Sequence, residues 1–172
     1  MCRLLTTLCQ QYNININELF EEALKDPSLL STINVDELLE SVEDEKNDYL
    51  ENKTMEMLNK ENFEVVTELN CSIDEKKKLC DSLIGYRLVD ELHELHKGKH
   101  IRWIRHGTTK LTSGGIVVDI KFLNNGTHVL CKNYSGRFTQ YKYDECITFQ
   151  KLTETEQLII MAYGYVSNEV QN

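Results

Sequence analysis

The residues with the most chemical potential in this 172-residue chain are cations and aromatics interleaved in its last third. Lys97, Lys99, Arg102, Arg105, Lys110, Lys121, Lys132, Arg137, Lys142 and Lys151 alternate with Trp103, Tyr134, Phe138, Tyr141 and Tyr143. Cations neutralise phosphates and aromatic rings stack on bases, so the combination points to a nucleic-acid or other anion-binding surface. The candidate binding residues are Lys99, Arg102, Arg105, Lys121, Lys132, Arg137, Tyr141, Lys142 and Tyr143. On a strand from Arg137 to Tyr143, a period of two puts Arg137, Thr139, Tyr141 and Tyr143 on one face, with Phe138, Gln140 and Lys142 on the other. The competing reading is that the aromatics fill a core and the lysines only solvate its shell.

Other candidate chemistry is weaker. His93, His96, His100 and His106 crowd one region, and His93 and His96 are neighbours on a helical face. Their spacing matches no zinc pattern, so histidines offsetting the negative end of a helix dipole are the simpler reading. His128 and Cys131, three apart on a strand, point to opposite faces and cannot form a local nucleophile–base pair. Asp144-Glu145 reads as a solvated bend rather than an acid–base pair. Phosphate-cradling and nucleophile-elbow glycine motifs are absent. The expectation is a non-enzymatic protein with no cofactor and no metal.

The elements that would position the basic residues follow from charge and glycine. The net charge of −9 divides into −13 over residues 1–96, +7 over 97–152 and −3 over 153–172. Of the eight glycines only Gly85 precedes Gly98, and glycine supplies the positive-φ turns of a small β fold. After Gly98 five short strands are expected: Ile101 to His106, Ile116 to Phe122, Val129 to Cys131, Phe138 to Tyr143 and Cys146 to Leu152. Ile116, Val118, Ile120 and Phe122 alternate on one face, and Asn124-Asn125-Gly126 marks a tight hairpin. Cys131 and Cys146 fall within strands as small buried apolar groups.

Before Gly98 the chain reads as helices. Asn17 caps one that stops before Pro27, and Asn34 with Glu37 opens another through Val42. Residues 43–53 are nearly all polar, a solvated helix or linker, and Thr54 to Asn70 forms a weak helix. Ser72 and Glu75 make a capping box, followed by Leu79, Cys80, Leu83, Ile84, Leu88, Leu92 and Leu95 at helical spacing up to a stop at Gly98. Thr153 and Glu156 open a last short helix that ends at Gly164.

The fold class expected is α+β: an acidic helical N-terminal region, then a small SH3-like or OB-like five-stranded β-barrel and a short C-terminal helix. The expected divisions are residues 1–70, a packing helix over 71–98, and a basic barrel domain over 99–172. The expected partners are nucleic acid or an acidic protein surface, with self-association through the N-terminal helices. An alternative is a structural or assembly protein that oligomerises through its helices. The longest apolar run, Leu158 to Ala162, is far short of the ~18 residues a spanning helix needs, so no membrane is expected. Without a leader pattern the six cysteines are expected as reduced thiols, in a protein that is not secreted.

The stretches beginning Ile101-Arg-Trp-Ile, Leu111-Thr-Ser-Gly-Gly-Ile-Val-Val-Asp-Ile, Phe149-Gln-Lys-Leu-Thr and Glu156-Gln-Leu-Ile resemble uncharacterised proteins of nucleocytoplasmic large DNA viruses, including mimivirus relatives. The resemblance covers about residues 92–160. It carries no activity and transfers no residue role. It implies a viral setting, in host cytoplasm, viral factory or virion.

Overall fold

Ser72 begins a helix as its spacing from Glu75 predicts. The Ser72 hydroxyl accepts the Glu75 backbone N–H at 3.3 Å, and the Glu75 carboxylate accepts the Ser72 N–H at 2.9 Å. Each side chain satisfies a backbone donor that the helix leaves open. The Ser72 backbone N–H first, and then the Ser72 hydroxyl, which donates to the same carboxylate at 2.8 Å, hold the Glu75 carboxyl below its ordinary range. The computed structural model describes residues 45–51 and 53–169. The expected helices after Asn17 and Asn34, and the proposed self-association through them, lie outside the described residues.

Two helices precede the sheet: α1 (Met55–Glu68) and α2 (Ile73–Ser82). The helix expected to run from Ser72 to Lys97 is therefore ten residues long. Leu83 caps it, Gly85 takes φ +76, and the chain enters a strand, β1 (Tyr86–Val89). The reason is an ambiguity of spacing. Apolar residues four apart suit one face of a helix, and they equally suit one face of a strand, whose period is two. Ile84, a member of the expected stripe, is 63% exposed. His96 and Lys97 therefore follow a short 3-10 turn, Leu92–Glu94, rather than ending a long helix.

The five strands expected after Gly98 all form: β2 (His100–Arg105), β3 (Gly115–Leu123), β4 (Gly126–Lys132), β5 (Phe138–Lys142) and β6 (Cys146–Lys151). The Asp144-Glu145 bend is a 3-10 turn, Tyr143–Glu145. With β1 they make one antiparallel sheet in the order β1-β6-β2-β3-β4-β5. The closed five-stranded barrel is thus corrected to an open six-stranded sheet. β6 returns beside β2 and accepts β1 on its other side, which leaves β1 and β5 as edges. A hydrogen-bond bridge spans those edges where strand pairing does not. The Tyr143 hydroxyl, just past β5, lies 3.0 Å from the Val89 carbonyl and 3.1 Å from that of Asp90, and its proton is shared between them.

The register of β3 also differs from simple alternation. A bulge falls between Val117 and Asp119, so Val117 and Ile120 both face the core. Ile116 and Val118 point outward, 49% and 41% exposed. A bulge inserts one residue into a strand and so swaps the faces on either side of it.

Two apolar clusters hold these elements. One lies inside the curled sheet and joins Val89, Ile101, Trp103, Val117, Val129 and Tyr141. The other joins Val66 of α1 and Leu83 after α2 to Ile104 and Phe149 on the opposite face of β2 and β6. The helices thus cover the outside of the β1–β6–β2 half. Residues 56–153 form one compact unit.

The second unit comprises, among the described residues, 45–51, 53–55 and 154–169. Its helix α3 (Glu154–Glu169) continues through Gly164, where an end was expected. Within it the Tyr49 hydroxyl donates to the Glu156 carboxylate, and Leu50, Ile159 and Ile160 are buried.

Candidate functional site

The outer face of β3–β4–β5 gathers Lys121, Lys132 and Lys142, one from each strand. Its three cross-strand rows follow from the register. Ile116, Lys132 and Phe138 align in the first, Asp119, Leu130 and Gln140 in the second, and Lys121, His128 and Lys142 in the third. The alternate residues Val129, Cys131 and Tyr141 point into the core, which fixes the lysines outside.

Two of the face's charges are offset locally. Lys142 pairs with Glu145 at 3.0 Å, and Glu145 also lies 3.3 Å from Arg105. Lys97 pairs with Asp119 at 2.6 Å. The hydrogen bond from Lys142 to Glu145, and that from Lys97 to Asp119, hold both carboxyls below their usual range. Lys121, Lys132 and the exposed Arg137 make no ion pair within 4 Å among the described residues, and the Lys121 charge acts on Asp119 from farther off. Lys132 lies 5.9 Å from the centre of the Phe138 ring, which is 60% exposed. Gln140 Nε2 is 2.7 Å from His128 Nδ1, and His128 Nε2 is 3.1 Å from the Asn125 side-chain oxygen. Gln140 donates to Nδ1 in this arrangement, and Nε2 faces the Asn125 oxygen as donor.

The remaining expected site residues serve other ends. Arg102 is a latch: its guanidinium donates to the carbonyls of Thr112 and Ser82, each at 2.8 Å, and lies 6.0 Å from the Tyr86 ring centre. Lys99 sits just before β2, outside the three rows, where its carbonyl accepts the Val117 N–H at 2.9 Å. Arg105 ends β2 and turns to Glu145.

Tyr141 and Tyr143, expected as stacking surfaces, are corrected. Tyr141 is 8% exposed, with its ring stacked on Trp103 at 4.3 Å between centroids. Its hydroxyl meets Thr148 at 3.1 Å, and burial raises its pKa. Tyr143 is half-buried at the edge bridge, its hydroxyl pushed up to about 12 by burial and then by Glu94 and Asp90. The aromatic left free on the face is Phe138, which alternation had placed opposite the tyrosines. Ile116 and Val118 were missed because the bulge that turns them outward has no signature in one strand alone.

The histidines disperse. His93 Nδ1 lies 3.1 Å from Glu91, His96 contacts Gln150, His100 Nδ1 is 3.2 Å from the Tyr86 hydroxyl, and the His106 N–H donates to the Glu145 carbonyl. Among the described residues no group of three or more His, Cys, Asp or Glu is arranged to hold a metal. Cys131 points inward, away from His128, and burial pushes its thiol up to about 12.

His100 carries a pH prediction. Burial first, then the positive charges of Lys151 and Arg102, lower its pKa. The unfolded chain therefore binds a proton that the folded one resists. This contribution is fully present above about pH 6.5 and is lost as pH falls through the folded value. Urea midpoints should drop from about pH 7 to about pH 5, and His100→Gln should flatten that drop. Parallel profiles would show that His100 does not cause it.

Among the described residues no helix is long and apolar enough to cross a membrane. No family model, curated protein or solved structure matches this chain.

Proposed function

We propose that the protein is a non-enzymatic binding module whose outer β3–β4–β5 face engages nucleic acid. One observation carries the reading. Lys132 stands between Phe138 and Ile116 on an outward apolar patch that includes Val118, Lys121 lies two rows along the same face, and Arg137 immediately precedes Phe138; none of the three cations has an ion-pair partner among the described residues. Unpaired cations attract phosphate and release its counterions, while the apolar patch matches bases better than carboxylates.

The acidic side of the unit faces elsewhere. Glu56, Glu61, Glu64, Glu68, Asp74, Glu75 and Asp81 lie on α1 and α2, whose apolar sides pack on the opposite half of the sheet. An SH3-like description of residues 99–152 belongs to the same proposal. It is supported by the consecutive pairing of β2 to β5 and the return of β6 beside β2. A viral setting is proposed on the resemblance over residues 92–160.

The test is binding of full-length protein to labelled oligonucleotides across a salt series. Three contacts give a log–log slope of about −2 for single strands or −3 for duplex, so raising salt from about 50 to about 200 mM should weaken binding about 20- to 40-fold. Combined reversal of Lys121, Lys132 and Arg137 to glutamate should remove both the binding and its salt dependence. Poly-glutamate captured as tightly as nucleic acid would transfer the face to an acidic protein partner. No binding to either polymer at low salt would end the proposal.

A further inference from the structure

Resting on that reading, we infer that the face takes single-stranded nucleic acid, with a base stacked on Phe138, rather than duplex. The argument is one of shape and burial. Three strands set about 5 Å apart make a platform about 10 Å wide before its side chains are counted. The major groove, about 12 Å wide, admits a helix or a two-stranded ribbon and is too narrow for such a face. A duplex also keeps its base faces stacked on one another. It would meet this surface through phosphates alone and leave Phe138, Ile116 and Val118 in water at 60%, 49% and 41% exposure.

A single strand resolves both difficulties. Its base faces are free, and each can cover apolar surface that the sheet leaves open. Phe138 and Ile116 flank Lys132 in one cross-strand row, so a base on the Phe138 ring lies beside a cation for its phosphate. Lys121 lies two rows away along the strands, about 13 Å distant at 3.4 Å per residue. Arg137 immediately precedes Phe138. Phe138, Lys132 and Lys121 thus sit on one face, with Arg137 at the start of β5 beside it, at separations that a flexible strand of a few nucleotides spans. Base stacking reads no hydrogen-bond pattern, so binding should tolerate any sequence.

The experiment measures anisotropy of full-length protein with single-stranded and duplex DNA of equal length. Single strands should bind at least about tenfold more tightly. Phe138→Ala should weaken single-strand binding about tenfold while leaving the salt slope and the melting temperature unchanged, and Phe138→Trp should restore it. Lys121→Glu should instead reduce the slope by about 0.7. Equal affinity for both forms, or a silent Phe138→Ala, would overturn the single-strand inference while leaving the nucleic-acid reading intact. No binding of either form at low salt would remove that reading, and this inference with it.

Discussion

Gly114→Ala is expected to destabilise the 56–153 unit by about 3 kcal/mol or more, the sum of a backbone penalty and a broken join. Gly114 has φ +79, and a Cβ there would stand 1.9 Å from the Ile101 carbonyl oxygen and 2.9 Å from the His100 ring. The left-handed backbone alone costs a non-glycine residue about 1–2 kcal/mol. The clash adds more because the obstacle is backbone and sits at a weak seam. β2 and β3 pair in register at His100↔Ile116 and Ile101↔Gly115, and Val117 adds two backbone bonds, to the Lys99 carbonyl and from the Gly98 N–H; this short join couples the helix-covered half of the sheet to the basic half. Separating them strands backbone groups, each costing about 1–3 kcal/mol if left buried and unpaired.

Thermal melting should show a fall in Tm of about 12 °C or more. Gly107→Ala is the control. Its φ is +77, yet nothing lies within 4 Å of the added Cβ, so about 1–2 kcal/mol is expected. Equal losses for the two variants would mean that the seam yields without cost.

Trp103→Ala is expected to cost about 3–5 kcal/mol, the usual range for removing a buried large aromatic. Trp103 is 9% exposed in the inner cluster, and its ring lies 9° from parallel to Tyr141. Stacked aromatics contribute about 0.5–1.5 kcal/mol beyond the area they bury. Deleting the indole also frees Tyr141, whose hydroxyl orients on Thr148 of β6. The substitution therefore loosens β5 against β6 through the core, because those strands are not neighbours in the sheet. Trp103→Phe keeps a ring for Tyr141 and should lose much less. Urea unfolding followed by far-ultraviolet circular dichroism checks both, since Trp103 is the single tryptophan and its fluorescence is lost in both variants. A loss below about 1.5 kcal/mol for Trp103→Ala would show that the cluster collapses to fill the gap.

The contrast between these residues and the basic face shows which signals are local. Asn124-Asn125-Gly126 turns as expected because a two-residue hairpin depends on the φ preferences of its own residues. Ser72 and Glu75 cap α2 because both partners lie within one helical turn. Four of the five strands after Gly98 emerge within one residue of their expected limits for a similar reason, and β4 starts three residues earlier than expected. Alternation and glycine turns are encoded within a few residues.

β1 was hidden because Ile84, Leu88 and Leu92 satisfy two periods at once, and pairing with β6, sixty residues on, decides between them. The outward face of Ile116 and Val118 was hidden because a bulge is defined by two strands.

Alternation also correctly groups Phe138, Gln140 and Lys142 on one face and Tyr141 on the other, yet it carries no sign for inside or outside. That sign comes from the sheet's curl, which turns Tyr141 onto Trp103 and leaves Phe138 in solvent. Amino-acid order alone thus settled the strand positions, the capped helix start and the surplus of positive charge over residues 97–152, all properties of near neighbours. Tertiary contact decided which cations stand free, that Arg102 latches the end of α2 and the Thr112 loop, that Tyr143 bridges the open edges, and that Lys121, Lys132 and Lys142 share their face with Phe138. Those outcomes depend on partners distant in sequence, brought together only when burial of the two apolar clusters curls the sheet and seats the helices on one half of it.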